Sequence, residues 1–226
     1  MLVDVLARMD RHATLMSSVR RIANESDDAY RSRLRHEFAQ AGDTVWIAVP
    51  PGCHSVLMAK AALEAGRHVI VEKPWPGSAE DSRALEERAR SLGLGCAVHY
   101  QYPFLDALQA LRERVGDGAG HVFSGRFTIA RASHNGIPAM LNLGSHLVAI
   151  WRMTFAGSTR GEIVVGYEQD DRRYVRLDGF GASHVVDFTH NAEPIIQRFV
   201  AAFEARDPGL VGPEIATQIG EIVKCL

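Results

Sequence analysis

Two short segments of the sequence carry side chains that could do chemistry. In the first, Glu72 and Lys73 come directly after an apolar run of strand length and are followed by Pro74. A lysine held in such a loop could bind an anionic or carbonyl group, or transfer a proton. Only three lysines occur against 22 arginines, so a lysine at this position is informative. A rim salt bridge of Glu72 with Lys73 or with an arginine is the structural alternative.

The second segment is a predicted helix over residues 141–153. Asn142 and His146 lie four residues apart on it and therefore share one face, and Ala149 follows three residues further on. That face could present a titratable imidazole beside an amide. A histidine on a half-apolar helix can equally be a packed structural residue.

Alternating strands and helices predict the layer that positions Lys73. Apolar runs over 44–49, 68–71 and 96–100 read as buried strands, and the stretches over 55–65 and 78–92 between them read as helices. Strands that are apolar on both faces are typical of a parallel sheet covered by helices. Ligands collect at the carboxyl ends of such strands, where the Glu72–Lys73 loop lies.

The pattern changes after a further helix over 104–115. Alternating residues predict half-exposed strands over 123–129, 163–167 and 175–177, and two amphipathic helices close the chain, over 194–205 and 213–225. The predicted fold is α/β: an incomplete Rossmann-like parallel sheet with helices over residues 1–118, then a reduced α+β domain with a mostly antiparallel sheet over 119–226. Residues 1–42 read as helical and charged, with a weak strand over 19–23.

Composition excludes several classes of protein. The 226 residues carry a net charge of −2, too balanced for a nucleic-acid footprint. Three cysteines without a C-x-x-C pair argue against a disulfide framework, and ten histidines without an H-x-x-x-H cluster argue against a metal site. No apolar run reaches membrane-spanning length and no secretory pattern opens the chain. We therefore expect a cytoplasmic protein without a metal or membrane.

Four stretches of this sequence resemble the Gfo/Idh/MocA family, the oxidoreductases related to glucose-fructose oxidoreductase and inositol dehydrogenase. They are residues 45–54, residues 61–74 with their closing Glu-Lys-Pro triplet, residues 120–128 and residues 138–149. The resemblance implies a Rossmann domain that binds NAD or NADP and a hydride transfer to or from a sugar, a cyclitol or a related carbon. It also implies substrate binding and proton transfer by the residues that match Lys73 and His146.

The sequence departs from the family pattern in four ways. The opening strand and its G-x-G-x-x-G turn, which holds a pyrophosphate, are not found in residues 1–42. Asn142 stands where the family has an aspartate, and Ala149 replaces the last acid of the same motif. Only about 40 residues separate this helix from the carboxyl-terminal pair. We therefore expect a shortened substrate domain and no independent tight binding of NAD or NADP.

Further site residues follow from these two segments. We expect Lys73 and His146 to be the catalytic pair. Near the mouth of the sheet we expect substrate contacts from six further residues: His54, Glu72, Tyr100, Gln101, Tyr102 and Asn142. If the conventional activity is retained, the cofactor contacts are expected from Pro50, Pro51, Glu72 and Lys73. Cys53 at a predicted helix start could act as a nucleophile, although a small residue in a tight Pro-Gly turn is the simpler interpretation.

Three functions remain open at this level. The first is a diverged enzyme that acts on a small polar metabolite, in specialised bacterial biosynthesis, without independent NAD(P)-dependent hydride transfer. The second is an NAD(P)-dependent oxidoreductase of a sugar, cyclitol or related carbonyl or imine substrate with nonstandard cofactor binding. The third is a noncatalytic partner. The antiparallel sheet is expected to join two copies of the chain, or the chain and a full-length homologue.

Overall fold

A computed structural model describes residues 21–49, 54–130, 136–168, 170–189 and 192–226 of the chain. These residues form two compact units. The first contains the described residues up to His99 together with Ala202–Thr217, and the second contains Tyr100–Ala201 and Gln218–Leu226. The predicted domain boundary between residues 118 and 119 is a different division of the chain and stays a prediction.

The first unit begins with helix α1, Asp27–Ala39. The Ser26 side chain caps it by accepting a hydrogen bond from the Ala29 amide. Tyr30, Leu34 and Phe38 follow one another at intervals of four residues and are buried on one face of this helix. The predicted strand over 19–23 is not formed at 21–23, and the helical pattern over 1–20 lies outside the described residues.

Three parallel strands follow, in the order β1-β2-β3. They are β1 Thr44–Ile47, β2 His68–Val71 and β3 Cys96–Val98, joined by helices α2 Ser55–Glu64 and α3 Ala79–Leu92. The parallel sheet predicted from doubly apolar strands is thereby confirmed. Its centre is fully buried, since Val69, Ile70 and Val71 of β2 are at most 2% exposed.

The second unit contains a four-stranded sheet in the order β5-β4-β6-β7. Its strands are β4 Val122–Ala130, β5 Thr159–Glu168, β6 Arg172–Gly179 and β7 Ala182–Asp187. The pairs β4–β6 and β6–β7 are antiparallel and β4–β5 is parallel, so the prediction of a mostly antiparallel sheet is confirmed.

Strand β7 was not predicted from the sequence. A two-residue turn, Phe180–Gly181, joins β6 to β7, and both residues have positive φ. Such turns favour Asn, Asp or Gly at the first position, and a phenylalanine there hides the hairpin signal. Phe180 is 84% exposed at the hairpin tip.

One face of this sheet is covered by helices. A 3₁₀ turn Tyr102–Phe104 leads into α4, Asp106–Val115, and a π turn Met140–Gly144 leads into α5, Ser145–Thr154. The single helix predicted over 141–153 is therefore wrong in its first turn, which is wider than an α-turn. Leu147 and Ile150 of α5 are completely buried in a core that includes Phe123, Phe127 and Val175 of the sheet.

Two helices close the chain, α6 Ala192–Ala205 and α7 Pro213–Lys224, close to the predicted bounds. Among the described residues, no helix combines the length and the apolar character that a membrane span requires.

Candidate functional site

The carboxyl edge of the parallel sheet is organised by one carboxylate. Glu72 follows β2, and its Oε1 accepts a hydrogen bond of 2.8 Å from Nδ1 of His99, which follows β3. The same Oε1 accepts a second bond of 3.1 Å from Nε1 of Trp46 in β1. The Trp46 and His99 rings meet edge to face with centroids 4.7 Å apart. Side chains from or next to all three strands therefore meet at Glu72.

This arrangement keeps Glu72 ionised. Burial by itself disfavours the charged form, but the bond and charge of His99, the bond from Trp46 and the charge of Lys73 outweigh it. The pKa of Glu72 consequently lies below its ordinary value. The contact that the structure shows for Glu72 is thus with the buried His99, whereas the sequence suggested a rim salt bridge with Lys73 or an arginine.

Lys73 lies half-buried in the loop immediately after this carboxylate. Downstream, the buried Trp75 anchors the loop by donating from Nε1 to Oγ of Ser82 in α3 at 2.7 Å. A Cβ added to Gly77 would lie 2.6 Å from the Trp75 indole, so the glycine makes room for this anchor. The backbone of Lys73 is therefore placed between two fixed points, Glu72 and Trp75.

His54 lies at the other loop of this edge, before α2. It adopts a left-handed conformation with φ of 57°, and its ring packs edge to face against Tyr30, with centroids 5.6 Å apart. The Arg21 guanidinium lies 3.4 Å from its Nε2. The His54 ring thus contacts residues that precede β1. The predicted residues Pro50, Pro51 and Cys53 lie outside the described residues.

In the second unit, His146 lies inside an aromatic cluster. Its ring stacks on Phe127 with centroids 5.4 Å apart and meets Tyr102 edge to face at 4.7 Å and Tyr100 at 5.9 Å. His146 is 5% exposed. Burial raises the pKa of both tyrosine hydroxyls, against a smaller opposing effect of Ser145 on Tyr100 and of Arg173 on Tyr102. The tyrosines therefore stay neutral at physiological pH.

Asn142 has a different neighbourhood from His146. Its Nδ2 donates to the hydroxyl of Tyr167 in β5 at 2.9 Å, and that hydroxyl donates to the Ile137 carbonyl at 3.0 Å. The predicted shared face of Asn142, His146 and Ala149 assumed one regular α-helix. Because Asn142 lies in the π turn, that helical spacing does not apply to it.

The remaining predicted residue, Gln101, is half-buried and directly precedes the 3₁₀ turn. Sequence reasoning missed Trp46, His99, Trp75 and Tyr167. His99 had a usable signal, since it follows the third predicted strand as Glu72 follows the second. Tyr167 had none, because its partner is an irregular segment. In the described part of the chain, no three metal-binding side chains come together.

The sheet order, its helical crossovers and the loop at its carboxyl edge define a Rossmann-like α/β protein. Residues 7–100 match the model of the oxidoreductase family with an NAD-binding Rossmann fold. The resemblance to the Gfo/Idh/MocA oxidoreductases predicted from the sequence is thus confirmed over residues 7–100.

Curated relatives match part of the chain. The dTDP-3,4-didehydro-2,6-dideoxy-alpha-D-glucose 3-reductase of Streptomyces violaceoruber is 38% identical over 98 residues, which are 42% of this chain and 28% of that protein. The D-apiose dehydrogenase of Paraburkholderia graminis is 30% identical over 142 residues, 58% of this chain and 38% of the relative. The chain thus spans less than half the length of these relatives.

Solved structures share the fold over more of the chain. The WlbA dehydrogenase from Thermus thermophilus, in complex with NAD and alpha-ketoglutarate, superposes with a TM-score of 0.71 at 16% identity, covering 100% of this chain and 90% of that one. The UDP-N-acetylglucosamine 3-dehydrogenase GnnA from Acidithiobacillus ferrooxidans gives 0.68 at 16% identity, with 99% and 84% covered. At this identity the likeness concerns the fold.

Because the pKa of Glu72 is lowered in the folded protein, the free energy of unfolding should fall as the solution becomes acidic. An acid with a depressed folded pKa stabilises the fold above its unfolded pKa, and this contribution is lost as pH falls through the folded value. Glu72→Gln should lower the free energy of unfolding by about 1–3 kcal/mol at neutral pH, with the difference shrinking below about pH 4. Denaturant titrations across pH measure it. Glu87→Gln, at an exposed position of α3, is the control, and a pH-independent difference would contradict the assignment.

The Trp75 anchor can be tested through Gly77. Gly77→Ala should lower the free energy of unfolding by about 1–3 kcal/mol, because the new methyl group overlaps the buried indole. Gly42→Ala is the matched control, since nothing lies within 4 Å of its added Cβ. Equal unfolding midpoints for the two variants in denaturant would show that the indole does not hold the loop.

Proposed function

We propose that this chain is a diverged Gfo/Idh/MocA-type enzyme that binds a small polar, sugar-like metabolite at the Glu72–Lys73 corner and does not transfer a hydride to or from NAD(P) on its own. The observation that carries the proposal is the fixed position of Lys73 between the Glu72 carboxylate and the Trp75 anchor. A pre-positioned ammonium group can bind a hydroxyl, carbonyl or phosphate oxygen with little loss of conformational entropy.

The substrate class is supported by the names of the relatives. The curated relatives include a reductase of a dTDP-sugar, a scyllo-inositol 2-dehydrogenase from Bacillus subtilis and a D-apiose dehydrogenase. Scyllo-inositol and D-apiose carry several hydroxyl groups, and the dTDP-sugar carries ring carbonyls and a diphosphate. Each of these compounds offers hydroxyl, carbonyl or phosphate oxygens to an ammonium donor such as Lys73.

The described loops at the carboxyl edge fit a dinucleotide pyrophosphate poorly. Such a group needs backbone amides exposed by glycines at a helix start. In the loop before α3 the glycine is Gly77, and the space at its missing side chain is taken by Trp75. Glu72 adds a negative charge to the same loop. Residues 50–53, which precede α2 in the sequence, lie outside the described residues.

The replaced acid supports the loss of hydride chemistry. In the family an aspartate matches Asn142, whereas here an amide occupies the position and donates to Tyr167. An amide can orient a hydroxyl group but cannot accept its proton, which alcohol oxidation must release. The catalytic role of His146 stays a separate prediction.

The second candidate is an NAD(P)-dependent oxidoreductase with nonstandard cofactor binding. The family model describes an NAD-binding fold, and the solved structures that share the fold include GenD2 in complex with NAD and KijD10 with NADP.

A separate proposal is association through the four-stranded sheet, with a second copy of the chain or with a longer homologue. It is supported by Val185 on edge strand β7, whose side chain is 60% exposed.

Cofactor titration separates the two candidates. We expect no saturable change in nicotinamide fluorescence when NADH or NADPH is added to the folded chain. The reason is that the loop before α3 does not expose backbone amides that could hold the pyrophosphate. Saturable binding that Lys73→Ala weakens would contradict the proposal and favour the conventional oxidoreductase. Denaturant unfolding of the same samples shows that both proteins are folded.

The role of Lys73 is tested by ligand binding. Calorimetry with dTDP-glucose, scyllo-inositol and D-apiose should detect binding of at least one probe. Lys73→Ala should weaken it by about 10-fold or more, the equivalent of one lost charge-assisted hydrogen bond, and Lys73→Arg should weaken it less. Lys224→Ala, an exposed lysine near the chain end, is the control. Binding of none of the probes, or unchanged binding by Lys73→Ala, would overturn this function.

A further inference from the structure

A short chain of hydrogen bonds joins three segments of the second unit. The Tyr167 hydroxyl of β5 accepts from Nδ2 of Asn142 in the π turn at 2.9 Å and donates to the carbonyl of Ile137, just before that turn, at 3.0 Å. The Asn142 amide nitrogen of the backbone also donates to the Pro138 carbonyl at 3.0 Å. Asn142 is 4% exposed and Tyr167 is half-buried, so these bonds are partly shielded from water.

The direction of this chain is fixed by counting protons. A tyrosine hydroxyl has one proton, and the Ile137 carbonyl can only accept. The Tyr167 proton therefore points to Ile137, and the hydroxyl oxygen can only accept from position 142. A side chain at 142 must bring a proton to satisfy this oxygen, as the Asn142 amide does.

We infer that Tyr167 is a positioning residue that requires a hydrogen-bond donor at position 142, so that this position is built for an amide and not for an ionised acid. A carboxylate there would face the lone pairs of the phenol oxygen. To bind the phenol proton instead, it would have to take that proton from the Ile137 carbonyl, leaving a polar group without its donor.

The inference concerns a position used in the proposed function, but its test requires neither ligand nor turnover. An aspartic acid introduced at 142 can keep the chain intact only in its protonated form, which donates to Tyr167. Burial and the acceptor oxygen both favour that form, so its folded pKa lies above the ordinary value. Stability of such a variant is then present at low pH and lost as pH rises through the folded pKa.

Other charged groups near the π turn are few. Among the described side chains on the core side of the π turn and α5, the titratable ones are Tyr167 of β5, His146 of α5, and Tyr100 and Tyr102, which both contact His146. The core-facing residues of β4 are apolar there, Phe127 and Ile129. Any effect of His146 is common to variants that differ only at position 167, and a mutant cycle between 142 and 167 removes it.

The experiment is a double-mutant cycle of Asn142→Asp and Tyr167→Phe, read as denaturant midpoints at about pH 5 and about pH 8. In the wild-type background Tyr167→Phe should lower the midpoint at both pH values. With Asn142→Asp it should lower the midpoint at about pH 5, where the acid donates, and should lower it less or raise it at about pH 8. Tyr174→Phe, on neighbouring strand β6, is the control.

Two results would overturn the inference. One is a cost of Tyr167→Phe in the Asn142→Asp background at about pH 8 that equals or exceeds its cost in wild type, since the hydroxyl would then donate to the carboxylate. The other is a coupling that does not change with pH. If Asn142→Asp does not fold, Asn142→Leu replaces it. Tyr167→Phe must then cost less than in wild type, and an equal cost would also refute the donor role.

Discussion

The double hydrogen bond at Glu72 Oε1 is the interaction on which the first unit depends. It joins side chains from or beside all three parallel strands, Trp46, Glu72 and His99, at the edge where ligands approach such sheets. Even partial burial of a carboxylate is costly unless donors surround it, and here two donors converge on one oxygen of the half-buried Glu72. The same bonds fix the backbone from which Lys73 projects, so sheet geometry and candidate chemistry have a common origin.

The second unit follows a different rule, because its polar groups are enclosed by aromatic and aliphatic side chains. His146 lies among Tyr100, Tyr102 and Phe127, and the tyrosine hydroxyls are held neutral by burial. In such surroundings each buried donor or acceptor group needs a partner within the protein, since water cannot supply one. Side-chain orientation is therefore set by the network more than by position along a helix.

The sequence predicted regular elements well and irregular ones poorly. Strand β2 is formed as predicted over 68–71, because a doubly apolar run bounded by a loop has few alternative structures. The π turn at Met140–Gly144 was missed, since periodicity assumes regular turns, and the positive φ of Phe180 hid the β6–β7 hairpin. Glu72 and Lys73 were predicted as site residues from their place after a strand. The contacts of Glu72 with Trp46 and His99 were not predicted, because pairing across strands depends on register.

One physical rule accounts for the acid that is kept and the acid that is replaced. At position 72 a carboxylate meets two donors, Trp46 Nε1 and His99 Nδ1, so the charged form is favoured despite burial. At position 142, where the family has an aspartate, the facing atom is a phenol oxygen whose proton is already donated to Ile137. An amide satisfies that oxygen and a carboxylate does not. The divergence at 142 is thus coupled to Tyr167, and reversing it would require a change in both residues.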